Sequence, residues 1–261
     1  MSSRSDAEFS ITPIGFVTSP ATSKGDLPRQ SGLGVGPSGS IELGETIPLE
    51  ALDDLAGFER IWVITWLDRA SGWKPKVTPP RGDGKRGVFA TRAPHRPNPI
   101  GLSCVRLVSI EGRTLTIDDH DLLDGTPVID LKPYLPYSEA FAEARAGWAE
   151  GGWTRYAITI EPAAQEALDW LAERGVPLAE RVRMVLTLRP EVREGHRVSV
   201  DAAGLHTYAW RTWRVDYTLD RPGARVSVLA IRSGLDPDRD APVDDARDAH
   251  ALHRAFRALA C

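Results

Sequence analysis

Closely spaced glycines and prolines divide the first part of this chain, up to about residue 160, into short apolar runs. Runs of this length, rich in β-branched and aromatic residues, predict strands. The run 61–67, IWVITWL, is almost wholly apolar, which predicts a strand buried on both faces. Many short strands separated by turns predict a mainly β fold, either a closed barrel or a strongly curved sheet. The predicted strands cover residues 11–19, 38–43, 61–67, 87–91, 102–110, 114–118, 128–131 and 155–161.

The pattern changes after residue 161, where apolar residues recur at helical spacing. Pro162 and Gly175 stand where the first such segment would begin and end, as is usual for helices. A turn signal at 220–223, DRPG, predicts a hairpin between two alternating strands. The predicted elements are helices at 162–174 and 178–186 and strands at 208–219 and 225–232.

These patterns predict three parts of the chain. A β-barrel domain covers 1–161, a small α/β domain covers 162–234, and a tail covers 235–261. The tail begins as an Asp/Pro-rich linker and ends in a short amphipathic helix, because Leu252, Phe256 and Leu259 share one helical face. The helix also carries two histidines three residues apart, and without a third ligand we predict no metal site there.

Charge is unevenly distributed along the 261 residues. The formal net charge of −4 carries no global signature of nucleic-acid binding, yet residues 69–106 hold nine Lys/Arg against Asp83 alone. A local basic surface can still attract a polyanion. Two distant cysteines, Cys104 and Cys261, argue for a reducing compartment and against a disulfide framework. With no long apolar run and no signal-peptide pattern, we expect a cytoplasmic protein without a membrane segment.

The segment 86–101, RGVFATRAPHRPNPIG, predicts a stiff loop. Its three prolines fix φ and remove backbone donors, so regular structure must stop there. The loop holds Arg92, His95, Arg96 and Asn98 close together, and a rigid loop loses little entropy when a ligand binds. The alternative interpretation is a surface loop with two solvated arginines.

Two further clusters bring polar residues to loops. The segment 27–32 is a polar turn that contains Arg29 and Gln30. The segment 120–127 turns at Asp124-Gly125, which predicts either a carboxylate at a loop apex or an ordinary turn with a local hydrogen bond. The sequence contains no dinucleotide-binding glycine motif, Walker loop, G-x-S-x-G elbow or zinc-ligand spacing.

Four motifs together resemble the TsaA-like (YaeB-like) family, which includes tRNA methyltransferases: PRQSGL, GWKPKVTPPR, RGVFATRAPHRPNPIGLS and DLLDGTPVIDLKPYLPY. The similarity runs from about residue 11 to 148, and a weaker one covers the small C-terminal domain. The resemblance implies a β-barrel domain that binds S-adenosylmethionine, plus a small α/β domain, in a homodimer with the cofactor near the subunit interface. It also implies methylation of N6 of N6-threonylcarbamoyladenosine at position 37, in the anticodon loop of tRNA.

The resemblance and the demands of this reaction imply roles for individual residues. The acceptor nitrogen is a poor nucleophile, so a base within hydrogen-bond reach would assist transfer; the first candidate is Asp124, with His120 and His95 behind it. The implied catalytic residues are Asp124 and Arg92. The implied cofactor-binding residues are Gln30, Arg92, Asn98, His120, Asp124 and Thr126. The implied substrate-binding residues are Arg29, Arg96, Lys132 and Tyr134.

Two alternatives remain open. One keeps the fold and cofactor but methylates a small molecule, and the other is a non-catalytic module that binds a ligand or RNA. The chain also departs from the family pattern, because Ala142-Glu143 stands where Pro-Asp is usual, and this bears on the acceptor more than on the cofactor.

Overall fold

The computed structural model describes residues 9–79, 84–152, 154–192, 197–235 and 249–259. The chain forms two compact units, Met1–Gly152 and Trp153–Cys261. The elements of the first unit are β1 (Gly15–Thr18), β2 (Gly39–Leu43), β3 (Arg60–Trp66), β4 (Lys76–Val77), β5 (Arg86–Gly87), β6 (Ile100–Glu111), β7 (Thr114–Asp118), β8 (Pro127–Pro133) and the helix α1 (Pro136–Glu139). Those of the second unit are β9 (Ala157–Ile160), α2 (Pro162–Ala172), α3 (Leu178–Leu188), β10 (Val198–Val200), β11 (His206–Trp210), β12 (Trp213–Asp220), β13 (Arg225–Ser233) and α4 (Ala249–Leu259).

The first unit is a closed antiparallel barrel, which confirms the predicted fold class. Its strand order is β1-β2-β7-β6-β3-β8, and β4 pairs with β5 in a separate two-stranded ribbon. Alternate residues of each barrel strand point inward and form one core. The core side chains with no exposed surface are Ile41, Ile61, Val63, Val105, Leu115, Ile117 and Val128.

The prediction that 61–67 is buried on both faces is wrong. Along β3 the side chains of Ile61 and Val63 are fully buried, whereas Trp62, Ile64 and Trp66 are only half-buried. A closed barrel has a single core, so only the inward face of a strand meets it. The apolar residues on the outward face therefore need another explanation.

The predicted strand 87–91 is also wrong. β5 ends at Gly87, and Val88–Ala90 forms one turn of 3₁₀ helix. The turn is closed because the backbone N–H and the hydroxyl of Thr91 both donate to the carbonyl of Val88, at 3.1 and 2.8 Å. Apolar residues alone could not distinguish this turn from a strand.

The second unit is built on a five-stranded sheet of order β10-β11-β12-β13-β9. β9 pairs in parallel with β13, so residues 157–160 belong to this sheet and the boundary lies at 152/153 rather than 161/162. The predicted strand 208–219 is two strands, β11 and β12, joined by a tight turn at Arg211, which has φ +50°. That turn has no glycine, proline, asparagine or aspartate, so the sequence carries no signal for it.

The predicted C-terminal amphipathic helix is present as α4, and it packs on the second unit. The ring of Phe256 meets those of Trp213 and Trp170 edge-on, with centroids 4.9 and 5.6 Å apart. The ring of His253 stacks on Trp213 at 4.0 Å, and its nitrogens lie 2.8 Å from the hydroxyls of Ser233 and Thr212. Burial lowers the pKa of His253 to about 4, so its ring is neutral at pH 7.

Truncating Phe256 is expected to destabilise the second unit. We expect Phe256→Ala to lower its free energy of unfolding by about 3 kcal/mol, because a buried ring is removed from two aromatic neighbours. Leu259→Ala is the matched control, since Leu259 is exposed on the same helix and its loss should cost less than about 0.5 kcal/mol. Calorimetry of both variants measures the difference. Equal effects would contradict the packing of α4 described here.

None of the helices among the described residues is long and apolar enough to cross a membrane.

Candidate active site

A cavity of about 390 Å³ opens at one end of the barrel. Four segments meet there: the polar turn after β1, the end of β3, the proline-rich loop before β6, and the loop between β7 and β8. The lining residues include four loop residues predicted from sequence, Arg29, Gln30, Arg92 and Arg96, and Thr126 from the third cluster. Residues that the sequence interpretation did not select also line it, among them Lys24, Thr65, Asp68, Arg69, Ser103 and Asp121.

The proline-rich loop is held together by one of its own arginines. The guanidinium of Arg96 donates to the carbonyls of Val88 and Thr91, at 3.1 and 2.8 Å, and lies 5.7 Å from the centre of the Phe89 ring. The indole N–H of Trp148 donates to the carbonyl of Ala90 at 2.7 Å. Arg96 therefore shapes the cavity wall as well as lining it, whereas Arg92 on the same wall is exposed.

The polar turn carrying Arg29 and Gln30 is followed by a segment fixed by a buried carboxylate. Asp119 adopts φ +56° and accepts hydrogen bonds from the backbone N–H groups of Gly34, Val35 and Gly36, at 2.8, 3.1 and 3.0 Å. Its own carbonyl accepts from the N–H of Gly32 at 3.2 Å. One side chain thus holds three consecutive amides directly after the predicted binding turn. The sequence interpretation missed this residue.

Asp121 is one of two carboxyl groups on the cavity wall, and it is the one with a shifted pKa. The hydroxyl of Ser103 donates to its Oδ1 at 2.5 Å. Burial raises the pKa of Asp121, and the hydrogen bonds from Ser103 and the Ser31 backbone, with the charge of Arg92, offset part of that rise. A carboxylate with a raised pKa is, once deprotonated, a stronger base than an ordinary aspartate. The cavity therefore contains a group suited to general-base chemistry.

Asp124, the first candidate base from sequence, does not line the cavity. Its Oδ1 accepts from the backbone N–H of Ser19 at 3.0 Å, and its own N–H donates to the carbonyl of Ala21 at 2.9 Å. The guanidinium of Arg69 donates to the Asp124 carbonyl at 2.6 Å. Together these bonds hold the turn at Asp124-Gly125 against the end of β1. Asp124 therefore stabilises a turn, as one of the two sequence interpretations proposed, but its hydrogen-bond partners are distant in sequence rather than local.

The remaining predicted residues also lie off the cavity. His120 is fully buried, its Nδ1 accepts from the Leu122 N–H at 3.2 Å, and burial lowers the pKa of its ring. Asn98 is exposed on the proline-rich loop. Lys132 pairs with Asp130 at 2.8 Å. Tyr134 packs edge-on against Trp62, with ring centroids 5.9 Å apart.

The Nδ1 of His95, the weaker base candidate, lies 3.3 Å from the carbonyl of Ser71. His95 does not line the cavity.

The cavity is strongly cationic, and a buried threonine hydroxyl on its wall lacks a hydrogen-bond partner among the described residues. The cationic side chains on its wall are Lys24, Arg29, Arg69, Arg92 and Arg96, against the carboxyl groups of Asp68 and Asp121. Thr65 on β3 is fully buried, and in the part of the chain that the structure describes its Oγ1 has no hydrogen-bond partner. A Cβ at Gly101 would lie 2.3 Å from that oxygen, so glycine allows β3 and β6 to approach here. Within the described ranges no group of three or more metal-ligating side chains occurs.

Comparison with known proteins identifies relatives of the barrel and of the whole chain. Residues 16–140, which include every residue lining the cavity, match the family described as the tRNA-methyltransferase O N-terminal domain. Over 222 residues the chain is 35% identical to the tRNA (adenine(37)-N6)-methyltransferase of Escherichia coli K12, covering 80% of this chain and 94% of that protein. Over 126 residues it is 40% identical to an S-adenosyl-L-methionine-binding protein of Archaeoglobus fulgidus, covering 48% of this chain and 89% of that protein.

A solved structure agrees with these relatives. The crystal structure of TrmO from Pseudomonas aeruginosa matches with a TM-score of 0.61 and 32% identity, covering 87% of this chain and 99% of that chain. The likeness extends over nearly the full length of both the Escherichia coli and the Pseudomonas aeruginosa proteins. The chain therefore belongs to the TrmO/TsaA-like family.

Proposed function

We propose that this chain is an S-adenosylmethionine-dependent methyltransferase that methylates N6 of N6-threonylcarbamoyladenosine at position 37 of tRNA. The observation that carries the proposal is a cationic cavity that contains a carboxyl group of raised pKa, Asp121, in a chain whose relatives are named for this cofactor and for methylation of adenine 37. A cytoplasmic location follows from a tRNA substrate.

The cavity fits the cofactor on two observations. Its volume of about 390 Å³ is in the usual range for small-molecule sites. The buried Oγ1 of Thr65 has no hydrogen-bond partner among the described residues, as expected of a polar atom beside a ligand site. Gln30, Arg92 and Thr126 were predicted to hold the cofactor and line the cavity. S-adenosylmethionine supplies a methyl group already activated by its sulfonium, so the protein mainly aligns donor and acceptor.

Asp121 acts on the acceptor in this proposal. The acceptor nitrogen shares its lone pair with the ring and the carbamoyl carbonyl, which makes it a weak nucleophile. In the transfer the methyl–nitrogen bond would form as the methyl–sulfur bond breaks, which leaves S-adenosylhomocysteine, and the Asp121 carboxylate would take the proton from N6. Ser103 orients the carboxylate through its hydrogen bond to Oδ1. Asp121 thus replaces Asp124 as our catalytic candidate.

The cations of the cavity suit the anionic part of the acceptor. The threonyl group ends in a carboxylate, which pairs well with guanidinium groups because two N–H donors match two oxygens. Arg29 and Arg92 line the cavity and are exposed, so they are our candidates for this contact. Arg96 supports the wall through its bonds to Val88 and Thr91.

The proposed homodimer uses the outward apolar face of the barrel. On neighbouring strands β3 and β6, Ile64 pairs with Leu102 and Trp66 pairs with Ile100. Leu102 and Ile100 are 50% and 42% exposed and also line the cavity. An apolar face continuous with the cavity rim supports a dimer contact that completes the site.

Charging this face is expected to separate the subunits. We expect Ile64→Glu to shift the protein from dimer to monomer in sedimentation, because a carboxylate would be buried without a partner. Val108→Glu is the matched control, since Val108 is exposed on the same strand as Leu102 but about 20 Å further along it. A dimeric Ile64→Glu variant would overturn this assignment of the interface.

Methyl transfer tests the proposed function itself. Labelled S-adenosylmethionine is incubated with the protein and tRNA, with and without the threonylcarbamoyl group. Label on the modified tRNA alone is the expected result. Label on a small molecule, with none on tRNA, would show that the acceptor is a small molecule and that S-adenosylmethionine is still the methyl donor. If the protein neither binds S-adenosylmethionine nor transfers its methyl group, the methyltransferase function is rejected.

A further inference from the structure

A basic ribbon lies beside the cavity. It consists of strands β4 and β5 with the flanking residues Trp73, Lys74, Lys85 and Phe89, and we call it the basic ribbon below. The strands pair in register, Lys76 with Gly87 and Val77 with Arg86. Of the cavity-lining residues, none belongs to this ribbon, so the cavity alone does not explain it.

The basic ribbon is fixed by backbone hydrogen bonds to the proline-rich loop, part of which lines the cavity. The N–H of Lys74 donates to the carbonyl of His95 at 3.4 Å, and that of Val88 donates to the carbonyl of Pro75 at 3.0 Å. A single 3₁₀ turn, Val88–Ala90, then leads to Thr91, which lines the cavity. Because one such turn advances about 6 Å, the ribbon lies within reach of a polymer that has one of its units in the cavity.

The charge of the ribbon favours a polyanion. Lys74, Lys76 and Lys85 are exposed, and none of them forms an ion pair among the described residues. The surrounding sequence from 69 to 106 contains nine Lys/Arg and a single acidic residue, although the whole chain has a net charge of −4. Unpaired lysines concentrated on one surface of an acidic protein are typical of contacts to phosphates.

Exposed aromatic rings lie among these cations. Trp73 is 54% exposed and Phe89 is 78% exposed. The side chain of Arg96 lies over the Phe89 ring from the cavity wall. Large exposed rings interleaved with cations are the arrangement by which proteins stack unpaired bases and hold the attached backbone. A lipid surface or an acidic protein could pair with the lysines, but it has no bases to stack on these exposed rings.

We propose that the basic ribbon binds the anticodon arm of the substrate tRNA. The three lysines contact backbone phosphates, and Trp73 stacks on a base next to the one that enters the cavity. An enzyme that modifies a base in a loop must take that base out of its stack, so contacts to its neighbours help to keep it extruded. This inference rests on the proposed function, since it takes tRNA as the substrate.

The test compares two triple variants of the full chain. Lys74→Ala/Lys76→Ala/Lys85→Ala removes the charges, and Lys74→Arg/Lys76→Arg/Lys85→Arg is the control that retains them. Affinity for threonylcarbamoylated tRNA is measured over a range of salt concentrations. We expect the alanine variant to bind at least about tenfold more weakly, with a salt slope smaller by about 2–3 because three phosphate contacts are lost. The arginine variant should bind like the unsubstituted protein.

Two further measurements separate binding from catalysis. At saturating tRNA the alanine variant should transfer methyl within about twofold of the normal rate, because the lysines do not line the cavity. Trp73→Ala should weaken tRNA binding about tenfold, and Trp73→Phe should retain most of the affinity through its remaining ring.

The outcomes distinguish this inference from the proposed function. Unchanged affinity and salt slope in the alanine variant would overturn the inference, even if methyl transfer to tRNA is normal. Loss of binding to anionic phosphatidylglycerol vesicles, with tRNA affinity unchanged, would assign the ribbon to lipid and also overturn it. Lysine-dependent tRNA binding without any methyl transfer would support the ribbon contact while rejecting the proposed function.

Discussion

Asp121→Asn is expected to lower the rate of methyl transfer by about 10²- to 10⁴-fold, the usual contribution of a general base. The asparagine keeps the size of the side chain and can still accept the hydrogen bond from Ser103, but it cannot take a proton from the acceptor. Affinity for S-adenosylmethionine, measured by calorimetry, should change much less than the rate. Single-turnover transfer to saturating tRNA gives the effect on the chemical step alone.

Asp124→Asn is the matched control for this variant. Among the described residues its Oδ1 accepts a backbone N–H, that of Ser19, and the amide oxygen of asparagine can accept the same bond. We therefore expect a rate within about threefold of normal. If Asp124→Asn abolishes transfer and Asp121→Asn does not, the base is Asp124 and the assignment to Asp121 is wrong.

The raised pKa of Asp121 also sets how the rate of methyl transfer and the stability of the fold depend on pH. The base is active when deprotonated, so the transfer rate should fall as pH drops through this raised pKa. The stability of the fold depends on pH in the opposite direction to the rate. Between the ordinary pKa of an aspartate and the raised one, the folded state binds more protons than the unfolded state, so stability falls as pH rises. At pH 7 the Asp121→Asn variant should therefore have a free energy of unfolding equal to or higher than that of the unsubstituted protein.

Asp119→Ala is expected to have the largest effect on stability, about 4 kcal/mol. It leaves three backbone N–H groups, those of 34–36, without their charged acceptor, and hydrogen bonds to charged groups are stronger than neutral ones. Alanine is also disfavoured at φ +56°. The adjacent turn carries Arg29 and Gln30 of the cavity wall, so cofactor affinity should fall together with stability. Denaturant unfolding and hydrogen exchange of residues 32–36 measure the loss of stability, and calorimetric titration with S-adenosylmethionine measures the loss of cofactor affinity.

Asp119→Asn tests the physical reason for that loss. Asparagine tolerates the left-handed backbone, and its amide oxygen can keep the two bonds that Oδ1 accepts from Val35 and Gly36. The bond from Gly34 is lost, so we expect about half the destabilisation of the alanine variant. If the two variants are equally stable, the carboxylate does not hold this segment.

Much of the barrel could be predicted from sequence because strand periodicity and turn residues are local signals. The hairpin between β6 and β7 shows this, since Gly112, in the short gap between the predicted strands 102–110 and 114–118, adopts φ +58°. The proline-rich loop was also predicted, because prolines restrict the chain wherever they occur. The 3₁₀ turn inside this segment was not predicted. Val88–Ala90 is as apolar as a strand, and the hydrogen bonds from Thr91 to the Val88 carbonyl close it into a turn.

The roles within the site depended on contacts between distant residues. Asp121 and Asp124 occupy the same predicted loop, and the sequence favoured the apex carboxylate. The pairing of Asp121 with Ser103 on β6, and of Asp124 with Ser19 after β1, reverses that choice. Similarly, β9 alternates like a barrel strand, but its partner is β13, far along the chain. None of these three pairings leaves a local signal in the sequence.

The structure of the chain bound to S-adenosylhomocysteine would test the central claim most directly. We expect the ligand inside the barrel-end cavity, with its sulfur facing the space next to the Asp121 carboxylate and its polar ends in contact with residues among Gln30, Arg92 and Thr126. A ligand bound elsewhere on the chain, with Asp121 remote from the sulfur, would contradict the assignment of this cavity as the site of methyl transfer.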